Sequence, residues 1–164
     1  MNEIDIQIEP AKETDIPALT EAMTRAFDDD SQRHLGKPKG GPPGYDDGEF
    51  FRKWMLPYDE SKGNKILTES QIIGGIIVWI LPSQRNRLGV IFVDPDFQRK
   101  GVGSRTLKFI FNTYPNTISW TLDTPGYAVS NHKFYEKNGF EKIAEEEDAE
   151  LPGGLSFTYM KFVG

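Results

Sequence analysis

The chain has 164 residues, of which 37% are hydrophobic and 12% aromatic, and its formal net charge is -6. This length suits one domain with one core, and the composition excludes an intrinsically disordered chain. A negative net charge argues against a nucleic-acid partner, because such proteins usually carry a broad basic surface.

Residue types also narrow the choice of chemistry. The sequence has no cysteine, so disulfides, thiolate nucleophiles and cysteine metal sites are excluded. It has two histidines, His34 and His132, and no motif with metal-ligand spacing, so no metal is expected. The N-terminus lacks the pattern of a signal peptide, and the longest apolar run, residues 72–81, is too short for a membrane span. We therefore expect a cytoplasmic protein without a membrane partner.

The N-terminal part begins with strand and helix patterns. Residues 4–8 alternate apolar and polar side chains, which predicts a strand with one buried face. Apolar residues at helical spacing predict a helix that begins with Thr14 as N-cap. Three aspartates, residues 28–30, form its predicted C-terminal end. We interpret them either as a solvated helix end or as a means of attracting a cationic substrate.

The rest of the chain alternates loops, strands and helices. A Gly- and Pro-rich loop at residues 35–48 precedes a short aromatic helix within residues 47–56. Apolar runs predict strands at residues 64–70, 71–81, 88–93, 116–122, 140–146 and 155–163. Helical spacing predicts two further helices at residues 102–114 and 128–138. This order predicts a mixed α/β sheet with helices on both faces.

The last strand has a second interpretation. Residues 155–163 are either an ordinary sheet edge or an edge that pairs with another subunit. The sequence therefore leaves both a monomer and a homodimer open.

One stretch, FVDPDFQRKGVGSRTLKF at residues 92–109, joins a strand to a helix and gathers positive charge at the turn. A helix start has unpaired N–H groups and a partial positive charge, and both favour a bound phosphate. Gly101 and Gly103 leave room for close approach, and Arg99, Lys100 and Arg105 add charge. The stretch predicts a diphosphate cradle, although a bare Gly-x-Gly turn fits an ordinary loop-to-helix turn equally well. Thr106 replaces the third glycine of the dinucleotide fingerprint.

Two motifs in this order resemble the GNAT superfamily of acetyl-CoA-dependent N-acetyltransferases. The first is V-D-P-D-F-Q-R-K-G-V-G at residues 93–103, and the second is N-H-K-F-Y-E-K-N-G-F at residues 131–140. The resemblance implies a mixed, mostly antiparallel sheet of about seven strands with about four flanking helices and one splayed parallel pair. It implies a single domain over residues 1–164, with an acyl-CoA-binding core at residues 64–145 and variable substrate-side elements at residues 14–56.

The resemblance also implies which residues serve acetyl-CoA. Tyr135 is the expected general acid that protonates the leaving thiolate. The backbone of two strand residues would pair with the pantetheine, the turn would hold the diphosphate, and an asparagine would bind the cofactor arm. The implied cofactor-binding residues are Phe92, Val93, Gln98, Arg99, Lys100, Gly101, Val102, Gly103, Ser104 and Asn131.

The sequence departs from the family pattern at the base that deprotonates the acceptor. Many relatives have a glutamate on the strand before the first motif, and this chain has Arg87 near that position. Asp123 is a candidate base, because it follows a strand at the edge where such sheets bind ligands. Glu69, at a turn position that is more often merely solvated, is another candidate, and a water chain to solvent would also serve.

The expected activity is transfer of an acetyl group from acetyl-CoA to a primary amine of a small molecule or peptide, by direct attack in a ternary complex. Asp46 and Asp47, with Asp28–Asp30, are hypothesised to favour a cationic amine. Four aromatic residues are hypothesised to line an apolar cleft: Tyr45, Phe50, Phe51 and Trp54. One alternative is an acyl-CoA-binding or sensory module of the same fold without catalysis. A nucleotide or nucleic-acid binder is a second.

Overall fold

A seven-stranded sheet forms the centre of the computed structural model, which describes residues 4–163. The strands are β1 (Gln7–Pro10), β2 (Ser61–Thr68), β3 (Gln71–Trp79), β4 (Arg85–Val93), β5 (Ser119–Pro125), β6 (Glu141–Glu147) and β7 (Leu155–Phe162). Their spatial order is β1-β2-β3-β4-β5-β7-β6, and every pair is antiparallel except β4–β5. The predicted mixed, mostly antiparallel sheet with one parallel pair is confirmed.

Four helices cover the two faces of this sheet, as predicted. They are α1 (Ile16–Leu35), α2 (Glu49–Trp54), α3 (Val102–Thr113) and α4 (Val129–Lys137). Successive strand residues point to opposite faces. Ile77 packs with buried residues of α1 and α2, whereas its neighbour Ile76 packs with Leu107 and Ile110 of α3. The helices therefore lie in two pairs, α1 and α2 on one face and α3 and α4 on the other.

Helix α1 continues to Leu35, beyond the three aspartates at which the sequence predicted its end, and these aspartates are paired within the structure. Arg33 Nε lies 2.8 Å from Asp29 Oδ2, and Arg33 Nη2 lies 3.0 Å from Asp30 Oδ1. The Tyr45 hydroxyl donates to Asp28 at 2.6 Å. The aspartates are thus helix residues with local partners, and the interpretation as a helix end is wrong.

The C-terminal strand is an interior strand. β7 lies between β5 and β6, and its Tyr159 is 1% exposed. β6 forms the edge instead, because the chain folds back so that β7 pairs with both neighbours. The expectation that residues 155–163 form a sheet edge is wrong. At the opposite edge, β1 occupies residues 7–10 rather than residues 4–8.

The parallel pair separates after three residue positions. β4 and β5 pair at Arg85–Ser119, Asn86–Trp120 and Arg87–Thr121, and no pairs follow toward the carboxyl ends. A β-bulge contributes to the separation: Ile77 pairs with Val90 while Val78 pairs with Leu88, so Gly89 is left out. Bulges bend a strand and increase its twist. The result is the predicted splay, a gap that widens from Leu88 onward.

Buried Asn86 holds the closed end of the gap. Its side-chain Nδ2 donates to Thr117 Oγ1 at 2.8 Å, and its side-chain Oδ1 accepts from the Leu81 backbone amide at 2.8 Å. A fully buried side-chain amide is stable only with such partners. The two strands are therefore fixed together at one end and free to diverge at the other.

Candidate active site

The gap between β4 and β5 exposes strand backbone. From Leu88 to Val93, β4 pairs with β3 alone, so its groups that face β5 lack a partner strand. Such groups bind an extended amide chain as an added strand. Phe92 contributes only its backbone, because its side chain is 4% exposed and packs edge-on against Phe51.

Gln98 has a clear role in the turn that follows β4. Its side-chain Nε2 donates to the Val93 carbonyl at 2.8 Å. This hydrogen bond connects the end of the strand to the turn that leads into α3. The sequence assigned Gln98 to the cofactor, and the structure shows it shaping the turn.

The start of α3 is suited to an anion. Within residues 4–163, no backbone carbonyl accepts a hydrogen bond from the amides of Val102, Gly103 or Ser104. These are the unpaired donors of a helix start, and the helix dipole adds to their attraction for negative charge. Gly101 precedes them with φ 77°, and Arg99 is also left-handed with φ 63°. The backbone is thus shaped as a turn with its donors open.

The two glycines of this turn have different roles. A Cβ at Gly103 would lie 2.9 Å from Phe134 Cε1, so this glycine allows α4 to pack against α3. A Cβ at Gly101 would meet no atom nearer than Arg105 Nε at 3.9 Å, so there is space for a side chain. Glycine is favoured at this position because of the left-handed backbone conformation. The sequence had assigned both glycines to phosphate approach alone.

The three cations near the turn also differ. Arg105 donates to the carbonyl of Ile4 at 2.8 Å and contacts those of Gly101 and Lys100 at 3.4 Å, so it braces the turn. Arg99 and Lys100 form no ion pair with any residue in the described part of the chain. These two side chains are available to a bound anion.

We expect Gly101→Val to destabilise the fold. A β-branched residue at φ 77° is strained, and leaving the left-handed conformation disrupts the helix start. The expected loss in free energy of unfolding is about 1–2 kcal/mol, measured by urea denaturation. Gly101→Asn, which tolerates this conformation better, is the matched control. Equal stability of the two variants would contradict this explanation.

Tyr135 lies on α4, on the α3 side of the gap. Its ring packs against Phe140 and Tyr159, with centroids 5.8 Å and 6.2 Å away. Burial raises the pKa of its hydroxyl well above the usual value, and the Asp30 carboxylate adds to the rise. None of residues 4–163 forms a hydrogen bond with this hydroxyl. The phenol therefore keeps its proton and has it free to donate.

The end of α1 reaches the start of α4, a contact that the sequence did not predict. His34 Nε2 lies 3.0 Å from Ser130 Oγ, and His34 Nδ1 lies 3.1 Å from the Asp30 carbonyl. Burial raises the pKa of the Asp30 carboxyl, while His34, Arg33 and the Asn131 amide oppose the rise. Asn131, predicted to bind the cofactor arm, thus lies beside Asp30.

His132, which follows Asn131 in α4, is partly buried against the sheet. Its Nε2 lies 2.9 Å from the Pro125 carbonyl, and its ring stacks on Tyr159 with centroids 5.7 Å apart. The aromatic residues of β7 cover this face of α4, so His132 is part of the packing there.

A cleft of about 330 Å³ opens at the gap from the α1 and α2 face. Its walls include Phe50, Trp54, Trp79, Arg87, Val90 and Asp123. The predicted aromatic cleft is thus present in part, since Phe50 and Trp54 line it. Tyr45 and Phe51 belong to the core instead, at 8% and 1% exposure. Trp79 comes from β3, which sequence reasoning treated only as a core strand.

Arg87 and Asp123 form an ion pair in this cleft. Arg87 Nη2 lies 2.9 Å from Asp123 Oδ2, and Asp123 Oδ1 accepts from Thr158 Oγ1 at 2.9 Å. Asp123 alternates with buried Leu122, which faces α3 and α4, so Asp123 faces α1 and α2. Each carboxylate oxygen of Asp123 thus has one partner and a further lone pair, and the catalytic role of Asp123 stays a prediction.

The other acidic candidates lie outside the lining of this cleft. Asp47 accepts from the Glu49 amide at 3.0 Å and so supports the start of α2. Glu69 and Ser70 form the β2–β3 turn with φ 49° and 67°, at the end of β3 far from Trp79. Their positions give no support to a direct role with the acceptor.

Comparison with known proteins identifies the family. Residues 62–142 match the acetyltransferase (GNAT) domain model. The chain is 30% identical to the uncharacterized protein YrkN of Bacillus subtilis (strain 168) over 147 residues, covering 87% of this chain and 76% of that protein. The chain belongs to the GNAT family of acetyltransferases, so the broad class of the protein is acyltransferase.

Solved structures share the whole fold at low sequence identity. The ribosomal-protein-S18-alanine N-acetyltransferase of Escherichia coli is 16% identical, with a TM-score of 0.76 over 98% of this chain and 95% of that one. The PaiA N-acetyltransferase of Thermoplasma acidophilum, determined with coenzyme A, is 16% identical, with a TM-score of 0.71 over 97% and 99%. These likenesses concern the fold.

Proposed function

We propose that the protein is an N-acetyltransferase that transfers an acetyl group from acetyl-CoA to a primary amine of a small molecule or peptide in a ternary complex, in the cytoplasm. One observation carries the proposal. Beside the gap between β4 and β5, a helix start with unpaired amides and Tyr135 lie on one face, and a cleft of about 330 Å³ lies on the other. Two substrates that approach from opposite faces would meet in the gap.

The described residues fit acetyl-CoA. The amides of Val102, Gly103 and Ser104 lack backbone acceptors and suit a diphosphate, with Arg99 and Lys100 beside them. The open backbone from Leu88 to Val93 suits the amides of a pantetheine arm. Solved relatives that contain coenzyme A or acetyl-CoA support this assignment. Acetyl-CoA supplies the thioester whose carbonyl carbon the amine attacks.

Tyr135 would serve as the general acid. In the transfer, the amine nitrogen bonds to the carbonyl carbon, the carbon–sulfur bond breaks, the amine loses a proton and the sulfur gains one. The Tyr135 hydroxyl would give its proton to the sulfur; an ordinary tyrosine, with a pKa of about 10, is already protonated near neutral pH, and burial raises the pKa of Tyr135 further. For the proton of the amine, Asp123 remains a proposed acceptor, with water in the cleft as the alternative.

A non-catalytic acyl-CoA-binding module is the second candidate. It is favoured by the ion pair of Arg87 and Asp123, which occupies the position where a free carboxylate base is expected. Release of free CoA on addition of amines separates the two functions, since only the transferase releases it.

We expect acetyl-CoA and CoA to raise the thermal unfolding midpoint, and ATP and NAD to leave it unchanged. At a hundred times its Kd, a ligand adds about 2.7 kcal/mol of stability. For a domain of this size that is a shift of roughly 5–11 °C, measured by differential scanning fluorimetry. Equal shifts with all four ligands would point to nonspecific nucleotide binding, and no shift with any would contradict the cofactor assignment.

A further inference from the structure

Opposite charges lie side by side in a cleft whose other walls are apolar or aromatic. Among the described residues that line it, Arg87 and Asp123 carry the charges. Phe50, Trp54 and Trp79 supply the aromatic surface. Arg87 and Asp123 are about half exposed, at 45% and 53% of their side-chain surfaces. A ligand in the cleft therefore meets an apolar wall and a paired cation and anion together.

Arg87 is held in place by two hydrogen bonds and has further N–H donors without a partner among the described residues. Its Nη1 donates to Thr121 Oγ1 at 3.2 Å, and its Nη2 donates to Asp123 at 2.9 Å. A guanidinium carries five N–H donors, and the others of Arg87, Nε–H among them, have no partner within residues 4–163. Thr158 fixes Asp123 from the far side. An immobilised guanidinium with free donors is suited to a carboxylate.

We propose that the acceptor is a free α-amino acid with an apolar side chain. Its carboxylate binds Arg87, its side chain packs against the aromatic wall, and its amine points into the gap. The inference rests on the proposed acetyltransferase function and names the substrate class of that site. The nitrogen gains the acetyl group and loses a proton, and the CoA sulfur gains a proton.

Three features favour this class over other amines. A simple cationic amine can face Asp123, but it leaves the free N–H donors of Arg87 without an anionic acceptor, which an amino-acid carboxylate supplies. A peptide substrate has its carboxylates at variable distances from its amino terminus, whereas an amino acid always has both groups together. A volume of about 330 Å³ is at the low end for ligand pockets, which suits a single amino acid.

The test compares amino acids with amines that lack only the carboxylate. L-leucine is paired with 3-methylbutylamine, and L-phenylalanine with 2-phenylethylamine, at saturating acetyl-CoA with CoA release as the readout. We expect kcat/KM to favour the amino acid by about 10–150-fold, the effect of one charged hydrogen-bonded contact. In Arg87→Met the ratio should fall to near one through a rise in the KM of the amino acid, and Arg87→Lys should restore part of it.

Arg85→Met is the matched control. Arg85 lies two positions earlier on the same strand and outside the cleft lining, so its removal changes net charge equally and should leave the ratio unchanged. Equal use of the amino acid and the amine by the wild-type protein, or a preference that survives in Arg87→Met, would overturn the inference while the acetyltransferase function stands.

If no amine is acetylated, calorimetry can still measure whether an amino acid binds. L-leucine is titrated into the CoA complex of the wild-type protein and of Arg87→Met. Binding to the wild type and its loss in Arg87→Met would support the amino-acid site even though the transferase function had failed. No binding of L-leucine to the wild type would overturn the inference.

Discussion

Replacement of Tyr135 by phenylalanine is expected to lower kcat by about 10²–10⁴-fold, the usual contribution of a positioned general acid. Phenylalanine keeps the ring contacts with Phe140 and Tyr159, so the fold and the Kd for acetyl-CoA should stay close to those of the wild type. The measurement is steady-state CoA release with an accepted amine, together with calorimetry for acetyl-CoA.

The raised pKa of Tyr135 also predicts how kcat depends on pH. Burial first, and then the Asp30 carboxylate, raise the pKa of Tyr135 above the usual value of about 10. A raised pKa means that the protonated, donating form persists as pH increases through the range where a free tyrosine ionises. In the wild type, kcat should therefore show no loss assigned to Tyr135 up to about pH 10.

Tyr114→Phe is the control for loss of a tyrosine hydroxyl. Tyr114 is half-buried on the same side of the sheet, burial raises its pKa, and its ring packs against Trp120 away from the gap. This variant should retain full activity. A Tyr135→Phe protein as active as Tyr114→Phe would remove Tyr135 from the mechanism.

The sequence predicted the fold well because its signals are local. Apolar periodicity and the two glycines at the start of α3 are patterns of neighbouring residues, and they led to the correct kind and order of elements. Some element boundaries differ from those predicted. Helix α1 continues past its aspartates to Leu35, where Arg33 of the same helix binds Asp29 and the more distant Tyr45 binds Asp28. Local sequence patterns around residues 28–30 could not predict the contact with Tyr45, because Tyr45 lies 17 residues from Asp28 in the chain.

The sequence predicted residues on both sides of the candidate site, but it did not predict the contacts that join them. The Gly-x-Gly turn and Tyr135 lie within two compact motifs, and the structure places them on one face of one gap. The contact of His34 with Ser130 joins residues 96 apart, and no periodic pattern marks it. The pairing of Arg87 with Asp123 depends on the register of two parallel strands and on the bulge at Gly89. The residue pairing between two parallel strands that are joined by a long connection cannot be predicted from the sequence of either strand alone.

Ser104→Pro tests the anion site by removal of a single backbone donor. Ser104 is the third residue of α3, where the amide has no helical acceptor, so proline costs the helix no hydrogen bond. The proline ring would clash with the carbonyl four residues earlier only inside a helix, and Lys100 precedes the helix. Gly103 has no Cβ, which relieves the usual restriction on the residue before proline.

Ser104→Ala is the control, because both substitutions remove the hydroxyl that accepts from Asn138 Nδ2 at 3.2 Å and only proline removes the amide N–H. A charged hydrogen bond is worth about 1.5–3 kcal/mol, so the Kd for acetyl-CoA should rise about 10–150-fold in Ser104→Pro relative to Ser104→Ala. Calorimetry gives the two Kd values, and unfolding midpoints without ligand show whether the fold is retained. Equal affinities in two stably folded variants would mean that the Ser104 amide does not bind the diphosphate, and the start of α3 would lose its assigned role.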